Sequence, residues 1–599
     1  MQTKDSAVSP RPSRAKAIAF RALAVLLPFA AVLVLEGVLR LAGVGEERRH
    51  PFVTIPGHEA SVALSPDFGA MFFRGFRPGV AFDPLEAEKS SETLRVVALG
   101  GSTTAGFPYN WYYGFPARLE DRLAAMLPGR RVEVANLGMT ATNSYTLRAL
   151  AAPVVEQDPD AVVIYAGHNE FYGAYGTGGT QGWTGTSIPL KRFVIGASRW
   201  ALVAGLTGGD LEADPGDGRT LMARVVENSA IGLDSEAYRA GLDQYQANLR
   251  DALGTFRRAG VPVFLATLTS NLADQAPLGD EPAAAEAFRR GRTLLAEGDT
   301  AAARVDLEAA KEADGLRFRA PEAINAIIRR LASEDPNVTL VDVQAQFQAA
   351  SPGGLEGASL FTDHLHPNAQ GYALMADAFV GAMSGLSVLE DALEVGPAPS
   401  SVDPVEDGLV RLQLAALMNG YPFRKDRTPE QAEAATRAVV DSLAGSGHPA
   451  DALAVRALIE NLPVQNALDD AARRFRAASD TLAALRTYGG LLYWQPFSQP
   501  LMERAVGFAL EDAAYDRETA ALARYAANHG RSVFSLNALA AVALRQEDFP
   551  RADALLAAVE ARQPDSPEML FNRARLLVLE GDTLAARRYF ERYRAGSGS

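Results

Sequence analysis

Ser102 follows an apolar run, Val96 to Leu99, through the Gly-rich turn Gly100-Gly101-Ser102-Thr103, and far downstream the chain carries Asp363-His364-Leu365-His366-Pro367. A serine hydroxyl is a poor nucleophile near neutral pH and needs a base to take its proton during attack. His366 could be that base. Asp363, three residues earlier on the same loop, could fix the imidazole tautomer and stabilise the imidazolium. The residue types of acyl transfer are present, provided the fold brings the two stretches together.

The elements around them suit that task. Short β-branched runs at 94–99, 132–135, 161–165, 261–267 and 338–343 alternate with helical stretches near 115–127, 143–152, 236–259, 320–334 and 368–384. Such alternation predicts βαβ crossovers and a parallel sheet covered on both faces, with ligands beyond the carboxyl ends of the strands. Read in order, those ends carry Ser102, then Asn136-Leu137-Gly138, then Gly167-His168-Asn169-Glu170, and last the loop of Asp363 and His366. The Ser102 and Gly138 amides and the Asn169 side chain could form a three-donor oxyanion hole. Each residue also has a plain structural reading: Ser102 could cap a helix, Gly138 serve a turn, and Asn169 satisfy loop backbone.

In these blocks the chain resembles the SGNH (GDSL-like) hydrolases, whose sequences carry Ser, Gly, Asn and Asp-x-x-His in that order. The resemblance spans roughly residues 92–386. It implies a flavodoxin-like three-layer α/β/α domain, a doubly wound parallel sheet of about five strands. It also implies a Ser102 nucleophile, His366 as general base, Asp363 as its orienter, and an oxyanion hole from Ser102, Gly138 and Asn169. Gly101 stands where that family has an acidic residue, and Glu170 stands where Asp is commoner. The Gly-x-Ser-x-Gly elbow and the His-Glu-x-x-His zinc motif are absent. Asp363, His364 and His366 could alternatively ligate a metal, but no further cluster at ligand spacing joins them. Neither a metal nor a cofactor is expected.

Composition frames the rest. A chain of 599 residues needs two or more domains of roughly 100–200 residues each. A net charge of −14 without a basic groove argues against a nucleic-acid partner. The lack of cysteine excludes disulfides, thiolate zinc sites and a cysteine nucleophile. Arg11, Arg14, Lys16 and Arg21 precede a charge-free run, Ala22 to Leu35, inside an apolar stretch over 17–44. That length crosses a bilayer, and the basic flank predicts a cytoplasmic tail (1–16), a transmembrane signal-anchor helix (17–44) and an extracytoplasmic remainder, periplasmic in a Gram-negative cell. A cleaved signal peptide is the alternative, although Glu36 and Arg40, one turn apart, continue the helix instead of offering a small-x-small cleavage site.

A Pro- and Phe-rich connector (45–91), with Phe68, Phe72, Phe73 and Phe76, leads to a hydrolase domain over 92–390. Two insertions interrupt that domain. The first, 171–234, is Gly-rich and then apolar from Leu190 to Leu206. It reads as a lid or substrate wall, either buried on the domain or touching a membrane surface. The second, 284–313, reads as an Ala-rich helical hairpin joined by Glu297-Gly298-Asp299-Thr300, a tetrapeptide repeated at Glu580-Gly581-Asp582-Thr583. Asp548 and Asp582 lie 34 residues apart, as do Ala552 and Ala586, which is the tetratricopeptide (TPR) period. An all-α TPR-like domain is therefore expected over 391–599, with repeats unassigned before about 530 and a protein partner on its concave face. Trp111, Tyr112 and Tyr113 could line an acyl or sugar pocket, and Arg317 and Arg319 could meet an anionic substrate group. Core packing and ordinary ion pairs fit those residues as well.

Together these features predict a membrane-anchored serine ester hydrolase acting on acyl esters of envelope glycans or lipids. Transfer of an O-acyl group to an exported polysaccharide and a non-catalytic partner-binding scaffold are the competing readings.

Overall fold

The computed structural model describes residues 14–73, 78–179, 185–207, 230–397, 399–530 and 532–596. Its centre is a five-stranded parallel sheet of β4 (Thr93–Gly100), β5 (Arg131–Asn136), β6 (Ala161–Tyr165), β7 (Val263–Ala266) and β8 (Val338–Val341), in the spatial order β5-β4-β6-β7-β8. All five predicted strands are present. Every residue of β4 and β6 is buried, as near-continuous apolar strands require when helices cover both faces. The order reverses between β4 and β6, so the crevice beyond their carboxyl ends is the topological switch point.

The helices of this domain and its leader, in chain order, are α1 (Arg14–Leu41), α2 (Ser102–Ala105), α3 (Phe115–Met126), α4 (Ser144–Val155), α5 (Ile188–Ala197), α6 (Ala201–Thr207), α7 (Glu236–Ala259), α8 (Pro282–Ala296), α9 (Thr300–Ala313), α10 (Glu322–Glu334), α11 (Val343–Ala350) and α12 (Ala369–Met383). Helices α4, α7 and α10 pack together as one layer, and α3, α11 and α12 as the other, as right-handed crossovers require. The second insertion is the antiparallel pair α8–α9. The connector holds a small antiparallel sheet, β1 (Phe52–Ile55), β2 (His58–Leu64) and β3 (Leu85–Glu86), which the sequence reading left without structure. The first hairpin turns at Pro56-Gly57, with Gly57 at φ 79°, a turn dipeptide with strand residues on both sides. Phe68, Phe72 and Phe73 from the same segment enter the main core, whereas Phe76 lies outside the described residues.

Eleven further helices among the described residues, from α13 (Pro404–Met418) through α19 (Asp516–Gly530) to α23 (Thr583–Gly596), form an all-helical region with its own core. One turn shape recurs in it. A residue with left-handed backbone, Ser479, Glu547 or Gly581, precedes an Asp that begins the next helix, and Asp480, Asp548 and Asp582 each accept a backbone N–H three residues on. Gly298 and Asp299 build the same turn between α8 and α9. Asp480 precedes Asp548 by 68 residues, twice the spacing of Asp548 and Asp582.

This region covers the open edge of the sheet. Asn528 on α19 accepts the Val132 N–H at 2.7 Å and donates to the Val132 carbonyl at 2.6 Å, standing in for the missing neighbour of edge strand β5. Arg524 grips Asp121 with two bonds of 2.8 and 3.0 Å, and His529 Nε2 lies 2.6 Å from Glu120. Asn528→Leu is expected to leave a buried donor and acceptor unpaired and to cost about 1–3 kcal/mol of stability, measured by denaturant unfolding of the full chain.

Candidate active site

Strand β4 ends at Gly100, and after Gly101 the chain enters α2, whose first residue is Ser102. A helix that starts there leaves its first amides without intrahelical partners. The Ser102 Oγ lies 2.8 Å from His366 Nε2, and His366 Nδ1 lies 2.6 Å from Asp363 Oδ2. The other carboxylate oxygen, Oδ1, accepts the Leu365 and His366 amides at 2.9 and 2.8 Å, so the loop closes on its own acid. Burial alone would push the Asp363 carboxyl up. The charges of His366 and His364, with the His366 hydrogen bond, outweigh it and hold the group well below the usual carboxylate range.

The loop is fixed from outside as well. Asn271, just past β7, donates its side-chain amide to the Asp363 carbonyl at 3.1 Å and its backbone N–H to the His364 carbonyl at 3.0 Å. The His366 carbonyl accepts both the amide and the hydroxyl of Thr362, and the Phe107 ring packs 4.6 Å from the His366 imidazole. Asn271 was not singled out from sequence, although Thr269-Ser270-Asn271 occupies a strand end like the others.

Asp363, His364 and His366 are also close enough to share a cation. Both His366 nitrogens, however, are engaged by Ser102 and Asp363, an arrangement in which the imidazole can take the serine proton while the carboxylate stabilises the imidazolium. His364 Nδ1 stands 3.2 Å from Asp363 Oδ1 but is not aligned as a hydrogen bond. Burial pushes the His364 imidazole down from its ordinary range.

Gly138 is needed for close approach: a Cβ there would lie 2.3 Å from the Ala105 nitrogen and 2.6 Å from the Thr104 carbonyl carbon. The backbone after β5 therefore packs directly on α2. Its N–H donates to Asn136 Oδ1 at 3.0 Å, a bond that must be shared or released before this amide can meet a substrate oxygen. The Asn169 side-chain nitrogen lies over the nucleophile turn, 3.0 Å from where a Cβ of Gly101 would stand. Among the described residues the Asn169 side chain has no hydrogen-bond partner. A Cβ at Gly101 would press on this amide.

Glu170 is fully buried and accepts the Ser144 hydroxyl at 2.8 Å and the Ser144 amide at 3.1 Å. It thereby ties the Asn169 loop to the start of α4. Burial raises its carboxyl to about 7. His168 accepts the Ala320 amide at 3.1 Å, and burial, with the nearby His364 and His366 charges, pushes its imidazole down to about 3. It is a neutral packing neighbour.

The expected substrate-binding residues are not brought to this row. Tyr113 donates to Asp403 at 2.9 Å, Tyr112 lies against Glu406 and stacks on Tyr493, and Trp111 meets Trp494 edge-on at 4.7 Å. All three face the helical region. Aromatic residues near a nucleophile fit a pocket and a packing interface equally well in sequence, and here they pack on the helical region. Arg317 donates to the Ile231 carbonyl at 2.7 Å and lies over the Tyr238 ring, and Arg319 donates to the Asn271 and Gln275 carbonyls and pairs with Asp314. Both guanidiniums are buried and spent on protein groups, so neither is open to a substrate anion. Arg319 instead braces the residue that holds the Asp363 loop.

A hydroxyl, an imidazole and a carboxylate in a hydrogen-bonded row at the carboxyl edge of a doubly wound sheet have the arrangement of a serine hydrolase. Residues 98–374 match the model of the GDSL-like Lipase/Acylhydrolase family, which supports a GDSL-like SGNH domain over that segment and an ester-hydrolysing enzyme. Similar solved structures include an acetylxylan esterase from Geobacillus stearothermophilus, 18% identical, covering 50% of this chain and 97% of its own, with a TM-score of 0.27. A GDSL-like lipase from Bacteroides thetaiotaomicron is 14% identical over 50% of this chain and 92% of its own, with a TM-score of 0.26. The lipase/acylhydrolase of Enterococcus faecalis is 16% identical over 49% and 96%, with a TM-score of 0.26. No curated protein matches the chain.

Proposed function

We propose that the chain is a membrane-anchored serine ester hydrolase that works outside the cytoplasmic membrane on acyl esters of envelope glycans or lipids. The observation that carries this reading is the unbroken row Ser102–His366–Asp363, with contacts of 2.8 and 2.6 Å. Ser102 Oγ attacks the ester carbonyl while His366 Nε2 takes its proton. The C–O bond to the leaving alcohol then breaks, and His366 returns the proton to it. Water, deprotonated by His366, releases the acid from the acyl-serine. The Ser102 amide and the Asn169 side chain, joined by the Gly138 amide once it parts from Asn136, stabilise the oxyanion.

The proposed location is supported by α1. Its stretch Phe20–Leu41 is 22 residues long, apolar and almost wholly exposed, enough to cross a membrane or to serve as a signal sequence. The basic residues before it favour an extracytoplasmic domain. The helical region over 391–599, with its recurring turn, is read as TPR-like and as the surface for a protein partner.

The full chain in detergent, given short-chain aryl esters and an acetylated glycan, is expected to release free acid from both. Asn169→Ala is expected to lower kcat about a hundred- to a thousand-fold with KM little changed. A purified, folded chain that releases no acid from any ester would overturn the reading.

A further inference from the structure

We infer that α5 and α6 form an interfacial membrane element, seated in the lipid surface beside α1 and holding the catalytic domain against the bilayer. The inference rests on reading α1 as a membrane span.

The first observation is the polarity of the pair. Residues 185–207 contain three charged side chains, Lys191, Arg192 and Arg199, and all three turn toward the protein. Lys191 is buried on Gln244 at 2.9 Å, Arg192 binds Asn248 and Asp251 at 2.9 and 3.0 Å, and Arg199 donates to the Ala149 carbonyl at 2.9 Å. The outward side is apolar instead: Phe193 is 71% exposed, Leu206 79% and Trp200 41%. A helix pair in water shows the opposite arrangement, whereas apolar exposure with a tryptophan at the rim suits a lipid headgroup boundary.

The second observation fixes the depth. Glu36, within the apolar stretch of α1, accepts the Ala201 and Leu202 amides at 3.0 and 2.9 Å, capping the start of α6, and also pairs with Arg40 at 2.6 Å. A carboxylate in an apolar span needs such partners, and here the second helix provides them. Glu36 lies five residues before Leu41, about 8 Å along the axis at 1.5 Å per residue. That is the depth of about 5–10 Å at which interfacial helices lie. Past the span, Arg48 donates to Thr207 at 2.9 Å, closing the far end of the pair.

The chain from this element to the catalytic row is short. Lys191 on α5 holds Gln244, which donates to the Glu170 carbonyl at 3.0 Å, next to Asn169. These contacts couple the helix pair to the loop that carries Asn169.

The absence of native cysteine makes the test direct. Full-length Phe193→Cys, Leu206→Cys, Leu33→Cys and Val578→Cys chains are labelled with an environment-sensitive fluorophore and reconstituted in phosphatidylcholine vesicles. Lipid-borne nitroxides are then added. Labels at 193 and 206 are expected to be quenched at least threefold more than the label at 578, on the helical region, by a shallow nitroxide. The label at 33 is expected to respond to a deep one. If 33 responds while 193 and 206 behave like 578, the interfacial element is overturned and the anchor stands. If 33 stays in water, the anchor reading falls and takes this inference with it.

Discussion

Ser102→Ala is expected to reduce kcat on aryl and glycan esters by about a million-fold, leaving only what binding and the remaining oxyanion donors accomplish. The size follows from the row being a single device. Without Oγ there is no acyl-enzyme, and His366, oriented by Asp363, loses the nucleophile it activates. Among the described residues the one side-chain hydrogen bond lost is that to His366 Nε2, so Tm should be little changed. The check is steady-state kinetics beside thermal unfolding of the same preparation. Equal turnover by variant and wild type would remove Ser102 from the mechanism.

Asp363→Asn is expected to lower kcat about ten-thousand-fold. Asp363 Oδ1 accepts two backbone amides of its own loop, and an asparagine oxygen can keep both. Its NH2 group then faces His366 Nδ1, which must become an acceptor. The proton moves to Nε2, the nitrogen that should receive the Ser102 proton. Stability adds an independent readout. The folded Asp363 carboxyl is held below its unfolded value, so its contribution is full above about pH 4 and fades as pH falls through the folded value. The stability difference between wild type and Asp363→Asn should therefore shift as pH falls below about 4, in the direction that destabilises wild type. Denaturant unfolding at several pH values measures this.

The parts of the molecule legible in its sequence are those where one local rule decides. Strands β6 and β7 are unbroken apolar runs, and β4, β5 and β8 are short β-branched runs between helical stretches, a pattern that buried parallel strands require. Ser102, Asn169 and the Asp363/His366 loop stand at strand ends, where the fold converges them. The antiparallel sheet of the connector was missed because its strands are short and half exposed, with only Pro56-Gly57 as a signal. Trp111 to Tyr113, Arg317 and Arg319 were misplaced because their partners, Asp403, Glu406, Trp494 and the backbone carbonyls of distant loops, are far away in the chain. The turn at Ser479-Asp480 was readable in principle. Ser479-Asp480-Thr481-Leu482-Ala483-Ala484 repeats Gly581-Asp582-Thr583-Leu584-Ala585-Ala586 except at the left-handed position, where serine stands in place of glycine at some backbone cost.

The central claim is that one serine, activated by its histidine, carries the acyl group. A serine-directed fluorophosphonate applied to the full chain, followed by peptide mass mapping, tests it most directly. A single adduct on Ser102, lost in His366→Gln, is the expected result. An adduct on another residue, or none on a chain that turns over ester, would contradict it.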